Sequence, residues 1–180
     1  MTDNEKKAKE AAYALFPEEK WTTVENGIFL SSRRAIGEKS NYKNELRCAQ
    51  ILRDEGSIVY LTPESRRFTG KKFDAIVDGL KFEFKNVSGN LGTLEKQFLR
   101  SRSQAPNVLI NLENSSLSKK DIISTLYGAR NRPATSSRHG YTHYNKFLGG
   151  LIILKLKDQE RLIYIKVDDL KIKENKKTGR

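Results

Sequence analysis

Asp74, Glu83 and Lys85 are the residues of this 180-residue chain whose types and spacing invite chemistry. They lie in KFDAIVDGLKFEFKNV, residues 72–87, two alternating runs joined by Asp78-Gly79. That dipeptide is the strongest short-range signal for a two-residue hairpin turn. The turn fixes a register: Val77 faces Leu80, Ile76 faces Lys81, Ala75 faces Phe82, and Asp74 faces Glu83. A period of two then puts Phe73, Ala75, Val77, Leu80, Phe82 and Phe84 on one face, and Asp74, Ile76, Lys81, Glu83 and Lys85 on the other. Two directly opposed carboxylates repel, so a proton or a cation is needed to hold them together. The ordinary alternative is cross-strand ion pairing of Asp74 and Glu83 with Lys72, Lys81 or Lys85.

The elements that must position these residues follow from the chain order. Asn4–Phe16 reads as a short charged helix ended by Pro17, and Trp21–Leu30 as a strand followed by a polar, basic connection, Ser31–Ser40. Asn41–Glu55 has a helical pattern closed by Gly56 as its C-terminal cap. On it Glu45 shares a stripe with Cys48, Ala49 and Leu52. A carboxylate at the edge of an apolar stripe needs a partner, either a ligand or a Lys or Arg at the boundary. Ser57–Thr62 is a strand and Pro63–Lys72 a basic loop. After the hairpin come a helix over Thr93–Gln104, a buried strand Asn107–Leu112, and a helix opened by Ser118 and Asp121 that runs to about Arg130. Gly149–Lys157 and Arg161–Val167 form a second hairpin, and Lys171–Arg180 is too charged to pack. The expectation is an α/β fold. A mixed central sheet has flanking helices, an αβββαβ core over about residues 41–112, and a C-terminal helix and β-hairpin. Residues 1–170 make one domain and 171–180 a basic tail.

Composition narrows the partners. The chain holds 34 Lys and Arg against 22 Asp and Glu, a net charge of +12, with 37% hydrophobic residues. Its pI is about 9.8. Such a field attracts polyanions, nucleic acid first among them. No strongly amphipathic basic helix or long apolar stretch speaks for a membrane. Cys48 is the only cysteine, which excludes an internal disulfide framework and a multi-cysteine zinc site. With no apolar signal-peptide core at its start, the chain as given reads as cytosolic, or as a piece of a larger exported protein. His139 and His143 lie four residues apart in a loop with no third ligand, so zinc is not expected. For nucleic-acid contacts the candidates are Arg100, Gln104, Arg130, Arg132 and Arg138, with Tyr141 and Tyr144 able to stack on unpaired bases.

An acidic residue, a short spacer and Glu-x-Lys, here Asp74 and Glu83-Phe84-Lys85, within an αβββαβ order resembles the PD-(D/E)xK nuclease superfamily. Phe73 stands where that motif has proline. From about Asn44 to Leu112, the glycine-capped helix, FDAIVDG–KFEFK and SQAPNVLINL are similar to the C-terminal tRNA-cleaving toxin domain of contact-dependent growth-inhibition proteins. The resemblance implies a metal-dependent endonuclease in which Asp74, Glu83, the Phe84 carbonyl and Glu45 hold Mg²⁺, or Mn²⁺. Lys85 would orient or deprotonate the attacking water. It also implies tRNA as the favoured substrate with DNA second, delivery into a target-cell cytoplasm, and a small acidic immunity protein as partner. A nucleic-acid-binding module without catalysis is the alternative from another class.

Overall fold

The hairpin sits at the middle of one continuous sheet, and its two strands have different lengths. In the computed structural model, which describes residues 2–34, 39–63, 73–101, 104–131 and 150–170, the Asp78-Gly79 turn joins β4 (Ala75–Val77) to β5 (Leu80–Asn86). Asp78 has φ 49° and Gly79 φ 88°, the left-handed pair that a primed hairpin turn demands. The expected register is observed: Ala75, Ile76 and Val77 pair antiparallel with Phe82, Lys81 and Leu80.

Around this hairpin the chain lays down strands in sequence order. They are β1 (Trp21–Glu25), β2 (Ile28–Ser31), β3 (Val59–Leu61), β4, β5, β6 (Asn107–Leu112), β7 (Leu151–Leu156) and β8 (Ile163–Lys166), forming a mixed sheet ordered β1 to β8. The pairs β2–β3, β5–β6 and β6–β7 are parallel and the others antiparallel. Each parallel step is bridged by a helix, as parallel neighbours require: α2 (Lys39–Asp54), α3 (Leu91–Ser101) and α4 (Lys119–Asn131), while α1 (Asp3–Leu15) precedes the sheet.

Alternation along the strands sorts the core into two faces. Ala75, Val77, Phe82, Phe84, Leu109 and Ile153 pack under Cys48, Ala49 and Leu52 of α2. Val108, Ile110, Ile152 and Leu154 pack under Leu94 and Phe98 of α3 and Ile122 and Leu126 of α4. Tyr60 and Ile76 meet Ala8 and Ala12 of α1 on that second side of the sheet. Glu83 and Lys85 alternate with Phe82 and Phe84, so they point to the face that carries α1, α3 and α4. Asn107 ties the strand ends together: its amide donates to the Lys81 carbonyl (2.9 Å) and its side-chain oxygen accepts from Leu151 N (3.0 Å).

Three expectations are corrected. Trp21–Leu30 is not one strand but the β1–β2 hairpin, turned at Asn26-Gly27 with Gly27 at φ 80°. Phe73 does not share the face of Ala75 and Val77. It precedes β4, where alternation has not begun, and joins the α1 cluster, 6.2 Å from the Phe16 ring. Leu80, at the corner of the turn, is more than half exposed. The caps are as expected: Gly56 ends α2 at φ 88°, and Ser118 Oγ accepts from Asp121 N (3.2 Å) to open α4. After β8 a 3₁₀ turn, Val167–Leu170, buries Val167 and Leu170. The Lys171–Arg180 tail lies outside the described residues, as does nearly all of the Asn131–Asn145 loop. Among the described residues no helix is long and apolar enough to cross a membrane.

Candidate active site

β4 ends three residues from the turn, whereas β5 continues for seven. Glu83–Asn86 therefore run past the end of their antiparallel neighbour, and backbone groups on that edge of β5 need other partners. Asp74 supplies one. Its backbone is fixed by N–H donation to Phe82 O (3.0 Å) and by acceptance from Thr62 N (3.0 Å). Its side chain turns to accept the Phe84 N–H at Oδ2 (2.8 Å). In an extended strand the N–H and C=O of one residue leave on the same edge. The Phe84 carbonyl is thus carried on the edge where the Asp74 carboxylate stands.

Glu83 projects from the strand with only 1% of its side chain exposed and forms an ion pair with Lys85, whose side chain is 15% exposed. Lys85 Nζ also donates to Gln104 Oε1 (3.3 Å), which lies between α3 and β6. An ammonium has three donors, so two acceptors leave one for a water or a phosphoryl oxygen. The second oxygen of Glu83, Oε2, is buried with no hydrogen-bond partner, and the Asp74 carboxylate is its near neighbour. Acceptor beside acceptor calls for a proton, a cation or a further hydrogen-bond donor between them. Burial first, then the negative charge of Asp74, push the Glu83 carboxyl up to about 8 against the pull of Lys85. Burial likewise raises Asp74, opposed by the Phe84 N–H and the charges of Lys85 and Arg34. A buried orphan oxygen, a second carboxylate and a backbone carbonyl make a hard-oxygen donor set that fits Mg²⁺ or Mn²⁺. Among the described residues no three His, Cys, Asp or Glu side chains converge as a metal-ligand cluster.

Glu45 is turned to Arg34. The two form an ion pair with side-chain exposures of 14% and 3%. Arg34 Nη1 also donates to the Thr62 carbonyl (2.8 Å) and reaches that of Asp74 (3.5 Å). The loop bearing Arg34 is held in turn by buried Glu19, whose Oε1 accepts from Ser31 Oγ (2.8 Å), Ser32 Oγ (3.0 Å) and Arg33 N (3.1 Å). Neither Arg34 nor Glu19 is a candidate on sequence grounds. Arg34 lies within a run that reads as an ordinary basic connection, and its one distinguishing mark is burial. A second polar chain ties α2 to the far ends of β5 and β6. Asn111 Nδ2 donates to Asn86 Oδ1 (3.0 Å) and Glu113 Oε2 (3.2 Å), and Arg47 grips Glu113 with Nε (2.9 Å) and Nη2.

The fold thus brings Asp74, Glu83, Phe84, Lys85 and Gln104 together, with Glu45 one guanidinium away. Arg100 is exposed on the last turn of α3, and Arg130 is half-buried on the last turn of α4. Arg132, Arg138, His139, Tyr141, His143 and Tyr144 lie outside the described residues, as does Lys72.

Residues 71–138 match the family model described as the contact-dependent growth inhibition CdiA C-terminal domain. The matched stretch contains Asp74, Glu83, Lys85 and Gln104, whereas Arg34 and Glu45 precede it. Among solved structures, a chain of the CdiA-CT/CdiI toxin and immunity complex from Burkholderia pseudomallei superposes with a TM-score of 0.50 at 20% identity. The superposition covers 82% of this chain and 96% of that one. At this identity the likeness is one of fold. No curated protein matches the chain.

Proposed function

We propose that the chain is a metal-dependent endonuclease of the PD-(D/E)xK type, cleaving RNA, tRNA foremost, as an interbacterial toxin domain. The observation that carries this reading is the buried Glu83 oxygen with no partner, beside the Asp74 carboxylate and one residue from the Phe84 edge. Asp74, Glu83 and the Phe84 carbonyl would hold a divalent cation. When bound, such an ion polarises a phosphoryl oxygen and makes water more acidic. Lys85, held by Glu83 and Gln104, directs its remaining N–H toward the attacking water or the phosphate and offsets charge developing there. The net charge of +12 draws the polyanion in, and Arg100, Arg130, Arg132, Arg138 and Tyr141 are offered as its contacts. The family match over residues 71–138 and the shared fold support the toxin reading. With it come delivery into a target cell and a small acidic immunity protein that covers the basic surface.

Purified protein incubated with total RNA and with plasmid DNA, with Mg²⁺ and with chelator, tests the proposal. Discrete tRNA fragments appearing only with metal are expected. Nicked or linear plasmid with intact RNA would move the substrate to DNA. Cleavage that persists in chelator, or in Asp74→Ala, would overturn the metal mechanism, and no cleavage of either substrate would leave a binding module.

A further inference from the structure

We infer that the site takes a single divalent cation, because Arg34 occupies Glu45 and serves as the fixed positive charge that a second ion would otherwise provide. The inference rests on the proposed function and concerns how this chain divides its carboxylates.

Three carboxylates stand near the start of β4, and each is neutralised differently. Asp74 and Glu83 face one another across the hairpin, with an oxygen of Glu83 buried and unpartnered. Glu45 instead meets a guanidinium more deeply buried than itself. Two buried opposite charges in contact satisfy each other, and removing either leaves the other uncompensated. A divalent ion at Glu45 would have to displace Arg34, or sit against it at a few ångströms in a poorly screened setting. Arg34 is not free to swing aside. Its Nη1 donates to the Thr62 carbonyl, and its loop is anchored by the three donors gathered on Glu19. Lysine could not replace it, since one ammonium lacks the planar fork that serves a carboxylate and two carbonyls together. Reaching the Asp74 carbonyl (3.5 Å), Arg34 also fixes the backbone of a ligand residue. Arg34 is therefore a positioning residue, and Glu45 acts through it rather than on the ion. The absence of any converging group of three metal-capable side chains among the described residues agrees with this division.

Metal-stripped full-length protein titrated with Mn²⁺, followed by calorimetry and by the loss of the free-ion EPR signal, decides the matter without reference to activity. One Mn²⁺ per chain is expected. The apolar swap Arg34→Met with Glu45→Leu should fold, because a buried pair tolerates joint apolar replacement, and should still take one ion with affinity weakened by no more than about 100-fold, the range of an outer partner. Loss of a true ligand would cost more than the roughly 10–100-fold typical of its outer partners. Should the swap fail to fold, Glu45→Gln, which keeps an acceptor for Arg34, is titrated against the same limit of about 100-fold. Two Mn²⁺ bound by wild type, or an affinity more than about 100-fold weaker in a folded Glu45 variant, would overturn the inference and leave the nuclease reading standing. No Mn²⁺ bound by wild type would overturn both.

Discussion

Replacing Glu83 by glutamine in metal-free protein should flatten the chain's response to pH. Burial and Asp74 raise the Glu83 carboxyl from 4.5 in the open chain to about 8 in the fold. A carboxyl raised by folding binds its proton more tightly in the native state. Its stabilising contribution is therefore complete below pH 4.5, drains as pH rises, and is gone above about 8. Each unit of displacement corresponds to 1.36 kcal/mol, so wild-type protein should lose about 3–4 kcal/mol between pH 5 and pH 8 through this group. For a chain of this length that is roughly a 10 °C fall in Tm. The substituted amide has no proton to lose, so Glu83→Gln should remove most of this slope and be the more stable protein at pH 8. Divalent cation and proton compete for the same oxygens, so Mg²⁺ should raise the wild-type Tm more at pH 8 than at pH 5. Thermal melts of both proteins in chelator and in Mg²⁺, at pH 5, 6.5 and 8, supply the test. Parallel pH profiles for wild type and Glu83→Gln in chelator would refute the reasoning.

Lys85→Ala should fold yet lose at least about 100-fold in cleavage rate, the low end for a positioned proton-transfer group; gel assays on RNA read it, and near-wild-type turnover would remove Lys85 from the mechanism. Gly150→Ala should cost more than about 3 kcal/mol or prevent folding. Gly150 has φ 114°, and a Cβ there would lie 2.1 Å from the Pro106 carbonyl oxygen; urea titration measures the loss. The Cys48 thiol is buried and pushed up to about 12 by that burial. It should resist thiol reagents at pH 8 in the native protein and react only on unfolding, so stoichiometric labelling of folded protein would contradict its placement.

Turn chemistry and alternation made the hairpin legible, because both act within a few residues. Asp78-Gly79 fixes the register, and the register brings Asp74 to Glu83 before any tertiary contact is considered. The same rule applied to Asn26-Gly27 would have divided Trp21–Leu30 into β1 and β2; there the apolar run obscured the turn. From its own stripe Glu45 is legible as a carboxylate in need of a partner, and the resemblance makes that partner the metal. In the fold its partner lies eleven positions back, in a loop whose burial depends on Glu19 and on the closing of the sheet, and no local pattern reports such a contact. Gln104 reads from the sequence as a nucleic-acid contact. That it reaches Lys85 follows from the length of α3 and the pairing of β5 with β6, which are properties of the whole sheet.

The short β4 explains why the chemistry sits where it does. Had β4 begun two residues earlier, a backbone carbonyl would have taken the Phe84 N–H, and residues 73 and 74 would have lain in a regular ladder. Instead the ladder stops at Ala75 opposite Phe82, and a carboxylate replaces the missing carbonyl as acceptor. The substitution has two consequences. It places a formal negative charge at a strand edge where a neutral group would normally lie, within reach of Glu83. It also leaves β5 with a carbonyl edge that no antiparallel neighbour covers. Both favour a cation. Lys85, on the same face as Glu83 but beyond the end of β4, can pair with that carboxylate and still have a donor to spare. The mismatch of three residues against seven thus makes the site an outcome of strand length as much as of residue type. Restoring the ladder by extending β4 should abolish cation binding even with Asp74, Glu83 and Lys85 unchanged.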